Sequence, residues 1–577
     1  MQLIVDVKSK QEDLSDATKK KWVIIVAALS LTLGCGDESS DGGSGGVQSL
    51  NLRDLSGFFL VENTMTTQDT DVHYVMNTES TRMFVREIAP KTCTDNIAKY
   101  ADCTGAPVTG KHSLVEYMLD NTGAWVVSHQ IFPSAQPAGT SFFASNSKRM
   151  ALSDDGKVLV VGAPQDSSRD SSHAPCSGIN AAGCAETTSF ETASNADGYH
   201  MGAVYVYRFN ETNSKWEREA FIKSPSVATG FNGFQLGSAV ALSGDGRYFA
   251  VSEPYNSINS EAVVTNETNS TAINNLYANA DSSDQKSRAG AVQIYHYDTN
   301  NSEWTLTAVF TNNTDNEQFG QKLVINQDGS RVVVGPNNQH NTYRTYTRED
   351  NWEKEADLAL VAVDTSTSIA MDASGTTLVI GTIQRIYKCE GVIPASRIDA
   401  CVSNYTDNAG RDEMGAAQVY RFDTNTATWG LEAALTSETP IADANLGGHV
   451  AISPDGQYIV ASQVKVPACM GVFSNFGACQ AAVSNATGDL GGLHVFRKTS
   501  SLWAQSNFIG EFQRGDTADI FAEGPLYINS SRLLIPSLSG GSADCTGFIP
   551  NIEASDASCE VNPMTTETKG MIYQYTF

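Results

Sequence analysis

The chain has 577 residues, 41% hydrophobic and 18% charged, and its 65 acidic against 38 basic side chains give a formal net charge of -27. That apolar share supplies a sizeable core, while a surface so acidic repels phosphate backbones and anionic lipid and argues against nucleic acid as a partner. It suits a soluble exported protein that meets cations or basic partners.

The first predicted element is not part of a fold. Lys19, Lys20 and Lys21 precede an apolar run from Trp22 to Leu33 that ends at Gly34-Cys35. A basic region, a short apolar region and small residues before a cut site are the parts of an export signal. The run is too short to span a bilayer comfortably. Ending at a cysteine, it resembles a bacterial lipoprotein signal, which implies that Cys35 becomes the lipidated first residue of the mature chain. A plain secretory signal is the alternative. Residues 37–46 (DESSDGGSGG) have the composition of a flexible tether. The expected organisation is therefore a signal over 1–34, a lipidated cysteine and tether over 35–46, and a folded domain over 47–577, held at the cell envelope by its anchor and facing the periplasm or the surface.

Six of the seven tryptophans, Trp125, Trp216, Trp304, Trp352, Trp429 and Trp503, each follow a short β-type run and a polar turn. Large apolar residues at matched positions mean one supersecondary unit used repeatedly. The clearest copy begins at Met150-Ala151-Leu152, turns at Ser153-Asp154-Asp155-Gly156, and continues in the buried run Val158-Leu159-Val160-Val161-Gly162-Ala163-Pro164. After a long insertion come Gly202-Ala203-Val204-Tyr205-Val206-Tyr207 and the Trp216 strand. That predicts four antiparallel strands per copy, with a tight hairpin at the Asp-Gly turn. Matching copies run along the chain, and the seventh (526–528, 532–536, 571–575) ends without a tryptophan strand. Residues 56–61, with Phe58 and Phe59, precede the first copy and can supply the missing strand. Seven four-stranded units closed by pairing of the two termini make an all-β, seven-bladed β-propeller, and closure hides the sheet edges.

Gln318-Phe319-Gly320, the Val-Val-Gly-Ala-Pro run ending at Pro164, and the Gly202 to Tyr207 run resemble the FG-GAP repeats of the integrin α-subunit propeller, nearest its bacterial branch. The resemblance implies the same propeller, and many members of that family bind calcium in a D-x-D-x-D-G-x-x-D loop between the first two strands. Calcium needs six to eight oxygens. The corresponding turns here (Asp154-Asp155-Gly156, Asp245-Gly246, Asp328-Gly329, Ser374-Gly375 and Asp455-Gly456) offer one or two carboxylates each. No cofactor or metal is expected. His73, His296 and His494 fall on predicted strands, where a core role is the natural one, and no catalytic residue is assigned.

Setting Cys35 aside leaves ten cysteines in five close pairs: Cys93 with Cys103, Cys176 with Cys184, Cys389 with Cys401, Cys469 with Cys479, and Cys545 with Cys559. Their clustering predicts five local disulfides and an oxidising compartment. All five fall between strands two and three of a copy, where long insertions lie at 93–111, 165–201, 255–289, 383–414, 465–490 and 538–568. Only the fourth copy is short there. Stapled loops on one face of a rigid scaffold suit recognition. The aromatic residues Tyr199, Tyr255, Tyr277, Tyr405, Phe473 and Phe476 are the candidate contacts. The expected function is a monomeric, non-enzymatic, membrane-tethered binding or adhesion module for a protein or glycan. The alternatives are a structural component of an envelope complex and a polysaccharide hydrolase or lyase with its site in the channel.

Overall fold

Strands with period-two side chains have two faces to bury, and this chain buries both by stacking sheet on sheet around a ring. The computed structural model describes residues 55–61, 73–88, 97–105, 112–121, 125–132, 149–166, 177–180, 201–225, 233–258, 260–265, 270–278, 288–361, 366–383, 389–401, 414–439, 443–466, 471–482, 490–510, 520–521, 524–529, 532–539, 547–550 and 569–576, with the single positions 92, 93, 95, 441 and 469. All lie in the unit Leu50–Phe577. The Cys35 anchor, the tether, Tyr199 and Tyr405 fall outside the described residues. So do two of the five expected disulfides, that of Cys176 with Cys184 and that of Cys545 with Cys559.

Seven antiparallel sheets form the blades of a seven-bladed β-propeller, six of them built from consecutive strands. Blade 2 has the plain order, with Met150–Leu152 innermost, then Val158–Ala163, Ala203–Asn210 and Lys215–Ile222. Blade 7 closes the ring. Leu55–Val61 pairs antiparallel with Lys569–Thr576, placing Phe58 opposite Tyr573 and Phe59 opposite Ile572, as the segment before the first copy predicts.

The core lies between blades. Val160 and Val204 of blade 2 pack with Phe249 and Trp304 of blade 3, while the intervening Leu159 and Tyr205 face Phe84 and Leu114 of blade 1. Glycines let the blades approach. A Cβ on Gly162 would lie 2.1 Å from the carbonyl oxygen of Gly237, where the chain enters blade 3 at φ +91°. A side chain at either position collides with backbone, which explains Val-Val-Gly in one copy and Leu-Gly in the next.

Polar latches add to the apolar layers. The indole N–H of five of the six outer tryptophans donates to the preceding blade. Trp216 donates to Glu116 (3.1 Å), Trp304 to Glu219 (2.8 Å), Trp429 to Glu355 (2.7 Å), Trp503 to Glu432 (3.3 Å) and Trp125 to Gln574 (2.9 Å). The indole nitrogen of Trp352 has no acceptor among the described residues. On the turn side, backbone N–H groups step from blade to blade: Asp154 to Gly244, Asp245 to Gln327, Gln327 to Ala373 and Ala373 to Pro454, at 2.9–3.1 Å. The turn carboxylates serve the turns themselves. Asp155, Asp245 and Asp455 each accept from the serine two residues before and the N–H two residues after.

Candidate functional site

The insertions all leave the ends of strands two and return at the starts of strands three, so they share the face opposite the tight turns. The expectation of four strands per blade is too simple. Short segments of the insertions fold back along the outer edge of their own blade as a fifth strand. Ile97–Lys99, Ala262–Thr265, Val392–Pro394 and Gly471–Phe473 do this in blades 1, 3, 5 and 6, and Gly547–Pro550 does it in blade 7. Blade 2 is covered by residues 178–180, through an Ile179–Ile222 bridge and backbone bonds to Phe221, Lys223 and Ser224. Edge pairing satisfies backbone groups that an outer strand would otherwise expose. Short helices follow at Ser270–Ala278, Ala395–Cys401 and Phe476–Ala481, the last capped by the Asn475 side chain. Disulfides Cys93–Cys103, Cys389–Cys401 and Cys469–Cys479 staple three of these insertions.

This folding corrects two of the candidate contacts. Tyr277 is buried among Met201, Phe234, Ile258 and Ile273, and Phe476 is buried among Val466, Phe508, Cys469 and Cys479. Both anchor an insertion to its blade and offer no contact area to a ligand. Of the others, Tyr255 is half-buried with the Arg288 guanidinium 4.7 Å over its ring, and Phe473 is half-buried in the fifth strand opposite Phe508.

Beneath the insertions of blades 2 and 3 lies a buried polar network that sequence reasoning missed. Lys223 donates to the Asp166 carboxylate at 3.0 Å, and the Tyr205 hydroxyl donates to the same carboxylate at 2.7 Å. Burial pushes the Lys223 ammonium below its usual range, and Asp166 opposes that shift. Glu253 accepts from Tyr277 (2.8 Å) and Asn256 (2.9 Å), and Gln293 donates to the Tyr277 hydroxyl (2.8 Å). Burial raises the Glu253 carboxyl above the usual carboxylate range despite hydrogen bonds that favour its charged form. In blade 6 burial pushes the His494 imidazole down to about 3, so it is neutral in its contact with Gln463. His73 and His494 are buried, and His296 stacks on Tyr248 at 4.4 Å. The buried groups hold loops and strands together and face no open space, while His296 is half-buried on its strand.

The open space is the central channel, a cavity of about 790 Å³ lined by the innermost strands. Its wall is mixed, with apolar side chains such as Val75, Met150, Leu323, Ile369 and Val450 interspersed with polar ones such as Ser368 and Asn445. At the turn end the Asp154 carboxylate accepts from Thr78 and from Gln327 (3.0 Å). At the insertion end Lys322 donates to the carbonyl of Pro336 (2.9 Å) and to Asn338 (3.0 Å), and His449 and Asn445 also line the cavity. Among the described residues no three His, Cys, Asp or Glu side chains gather as metal ligands would.

No known family model and no curated relative matches this sequence. Solved structures similar to the chain include the β-propeller domain of Cps50 (Swd1) from Myceliophteria thermophila, at 8% identity over 90% of this chain and 99% of that one, with a TM-score of 0.40. A Dos1 propeller matches at 10% identity over 91% and 95%, with a TM-score of 0.37. The periplasmic gluconolactonase PpgL of Pseudomonas aeruginosa matches at 12% identity over 80% and 97%, also at 0.37. Likeness at this level bears on fold alone.

Proposed function

We propose that this propeller, of FG-GAP type, is a membrane-tethered extracytoplasmic binding module that recognises a protein or glycan through the rim formed by its insertions. The observation that carries the reading is the double anchoring of that rim. Each insertion is held by an edge segment on its own blade, and three are also closed by a disulfide. A loop ordered before it meets its ligand loses less entropy on binding, so such anchoring favours affinity. Disulfides also agree with an oxidising compartment and hence with export. Tyr255 and Phe473 remain contact candidates on the described part of the rim, with Tyr199 and Tyr405 on the rest.

The test must spare the anchors. Replacing all of 255–289 would strip the edge strand Ala262–Thr265 and expose Val309 and Phe310. Replacing only 185–200 and 279–287 with Gly-Ser turns leaves those anchors, and the expected Cys176–Cys184 pair, in place. Protein lacking residues 1–46 is used to capture partners from envelope extracts. A partner lost on replacing the two tips supports the rim, and a partner retained at wild-type level refutes it. The tether is tested separately. A palmitate analogue should label the full chain, and labelling that survives Cys35→Ser ends the lipoprotein reading.

A further inference from the structure

Six blades carry an edge segment on the outer strand, and blade 4 carries none among the described residues. Its connection between strands two and three is only residues 336–341, and Trp352–Ala359 stands at the edge of a four-stranded sheet. The other blades show what fits there. In blade 3 the edge segment covers Ala308–Thr311, which begins four residues after Trp304, and all four covered residues are buried. The matching residues of blade 4 are Ala356 to Ala359. Asp357 and Ala359 are exposed there, and only Leu358 is buried.

Most of the backbone of this edge is also free to pair. The N–H of Leu360 donates inward to Asn341 at 2.9 Å. Bonding direction alternates along an antiparallel strand. Leu358 therefore also bonds inward, and Asp357 turns its N–H and C=O outward together with the N–H of Ala359, whereas the Ala359 carbonyl accepts from the Tyr420 hydroxyl of blade 5 at 3.3 Å. Around them stand the carboxylates of Glu261, Glu353 and Asp357 against the ammonium of Lys354, which bridges Glu261 (2.6 Å) and Asp357 (2.8 Å). The Arg344 guanidinium also lies 3.7 Å from Asp357 but is shared with Glu317, so the surroundings stay acidic. The Asp357 side chain is half exposed, at 50%.

We propose that the outer strand of blade 4 is a strand-addition site for an extended, basic segment of another protein. The segment pairs antiparallel with Ala356 to Ala359, as Ala262–Thr265 pairs with blade 3. It places a Lys or Arg opposite Asp357, where blade 3 has Val264 opposite Val309, and an apolar residue opposite Leu358, where blade 3 has Val263 opposite Phe310. Main-chain bonds supply affinity and the alternating side chains supply specificity. A second copy of this chain is a poor occupant. Two such edges would set like charges against each other, and each chain carries a net charge of -27. The site is separate from the insertion rim and does not depend on what the rim binds.

The probe is a fluorescein-labelled, end-blocked octapeptide of alternating Lys and Val, titrated by anisotropy against the full-length chain at physiological salt. A Glu-Val octapeptide is the control. The Lys-Val peptide should bind at least tenfold tighter than the Glu-Val peptide. It should slow hydrogen exchange at the amides of Asp357 and Ala359 while leaving the outer strand of blade 3 unchanged. Ala359→Pro removes an outward N–H and should weaken binding at least tenfold. Asp357→Lys, at an exposed position, should weaken the Lys-Val peptide and strengthen the Glu-Val peptide. Affinity unchanged in both variants, or protection elsewhere, overturns the site. A dimer in sedimentation that Ala359→Pro dissociates would make a second copy the occupant and overturn the basic partner.

Discussion

Glu116 is the most demanding of the inter-blade latches, and its removal tests whether they hold the ring. Its carboxylate is fully buried and meets Arg82 at 3.0 Å, His129 at 2.6 Å and the indole N–H of Trp216 at 3.1 Å. Arg82 is itself 10% exposed and lies 4.3 Å over the Phe209 ring of blade 2. Burial pushes the guanidinium down, and Glu116 opposes that shift. Glu116→Ala leaves a buried cation without its partner and a buried N–H without an acceptor. Breaking such a pair costs about 4 kcal/mol. At roughly 2 cal/mol/K of unfolding entropy per residue, a domain of about 500 residues loses about 4 °C in melting temperature. Glu219 plays the same part in blade 2 from the outer strand instead of the third, but its partner Arg208 is 33% exposed and can turn to water. Glu219→Ala should therefore cost only about 1–2 kcal/mol. Differential scanning calorimetry of both variants, with Trp216→Phe to complete a double-mutant cycle on Glu116, measures the difference. A loss at Glu116 no larger than at Glu219, or a Glu116–Trp216 coupling within about 0.3 kcal/mol of zero, would refute the latch.

Thr307→Glu places a carboxylate three residues after Trp304, where blades 2, 4 and 5 have Glu219, Glu355 and Glu432, and gives Trp352 its missing acceptor. It should stabilise by about 1 kcal/mol, and a lower melting temperature would contradict it. Glu253→Gln tests the buried network. Because burial raises the folded-state pKa of Glu253, its contribution is full below the unfolded value, about 4.3, and is lost as pH rises through the folded value. The variant should melt with the wild type at pH 4 and above it at pH 8, and equal melting at both would overturn the reading. Deleting residues 1–61 removes a strand bonded on both sides, to Lys569–Thr576 and Gly547–Pro550. The deletion should abolish the cooperative transition, and an unchanged melting curve would show that the ring closes otherwise. Peptide mapping without reduction should find Cys93–Cys103, Cys389–Cys401 and Cys469–Cys479. It should also find Cys176 joined to Cys184 and Cys545 joined to Cys559, the two expected pairs outside the described residues; a bridge between blades would contradict the blade assignment.

The blades were legible because their signals are local. The Asp-Gly turns, the buried run at Val158 to Val161 and the tryptophan of each outer strand need only a few neighbours to be interpreted. Closure was legible too, since a spare apolar segment at one end matched a missing strand at the other. The fifth strands were not. Ile97–Lys99 and Val392–Pro394 are three residues long, too short to show a period, and their partners lie across an insertion of unknown path. Tyr277 and Phe476 misled for the same reason. An aromatic residue in a polar loop looks like a contact until the fold shows the loop turning it inward. One signal was available and missed: glutamate recurs three residues after Trp216, Trp352 and Trp429, and in each case it accepts from the tryptophan of the next blade.

The insertions thus serve the scaffold before they serve any ligand. A propeller hides most strand edges by closing, but the outermost strand of every blade remains open, and among the described residues six of the seven are covered by chain from their own insertion. The covered positions are buried and mostly apolar, as at Ala308–Thr311 and Ala433–Leu435, and even the polar His129 and Gln130 of blade 1 are buried, whereas blade 4 has Asp357 in the corresponding stretch and leaves it in solvent. A blade that had merely lost its insertion would keep an apolar edge and aggregate. The exposed carboxylate blunts that hazard while leaving the main-chain groups beside it available. The same residue that keeps the edge soluble therefore also restricts what can pair with it, and the edge most open to a partner is the one on which Asp357 selects for positive charge.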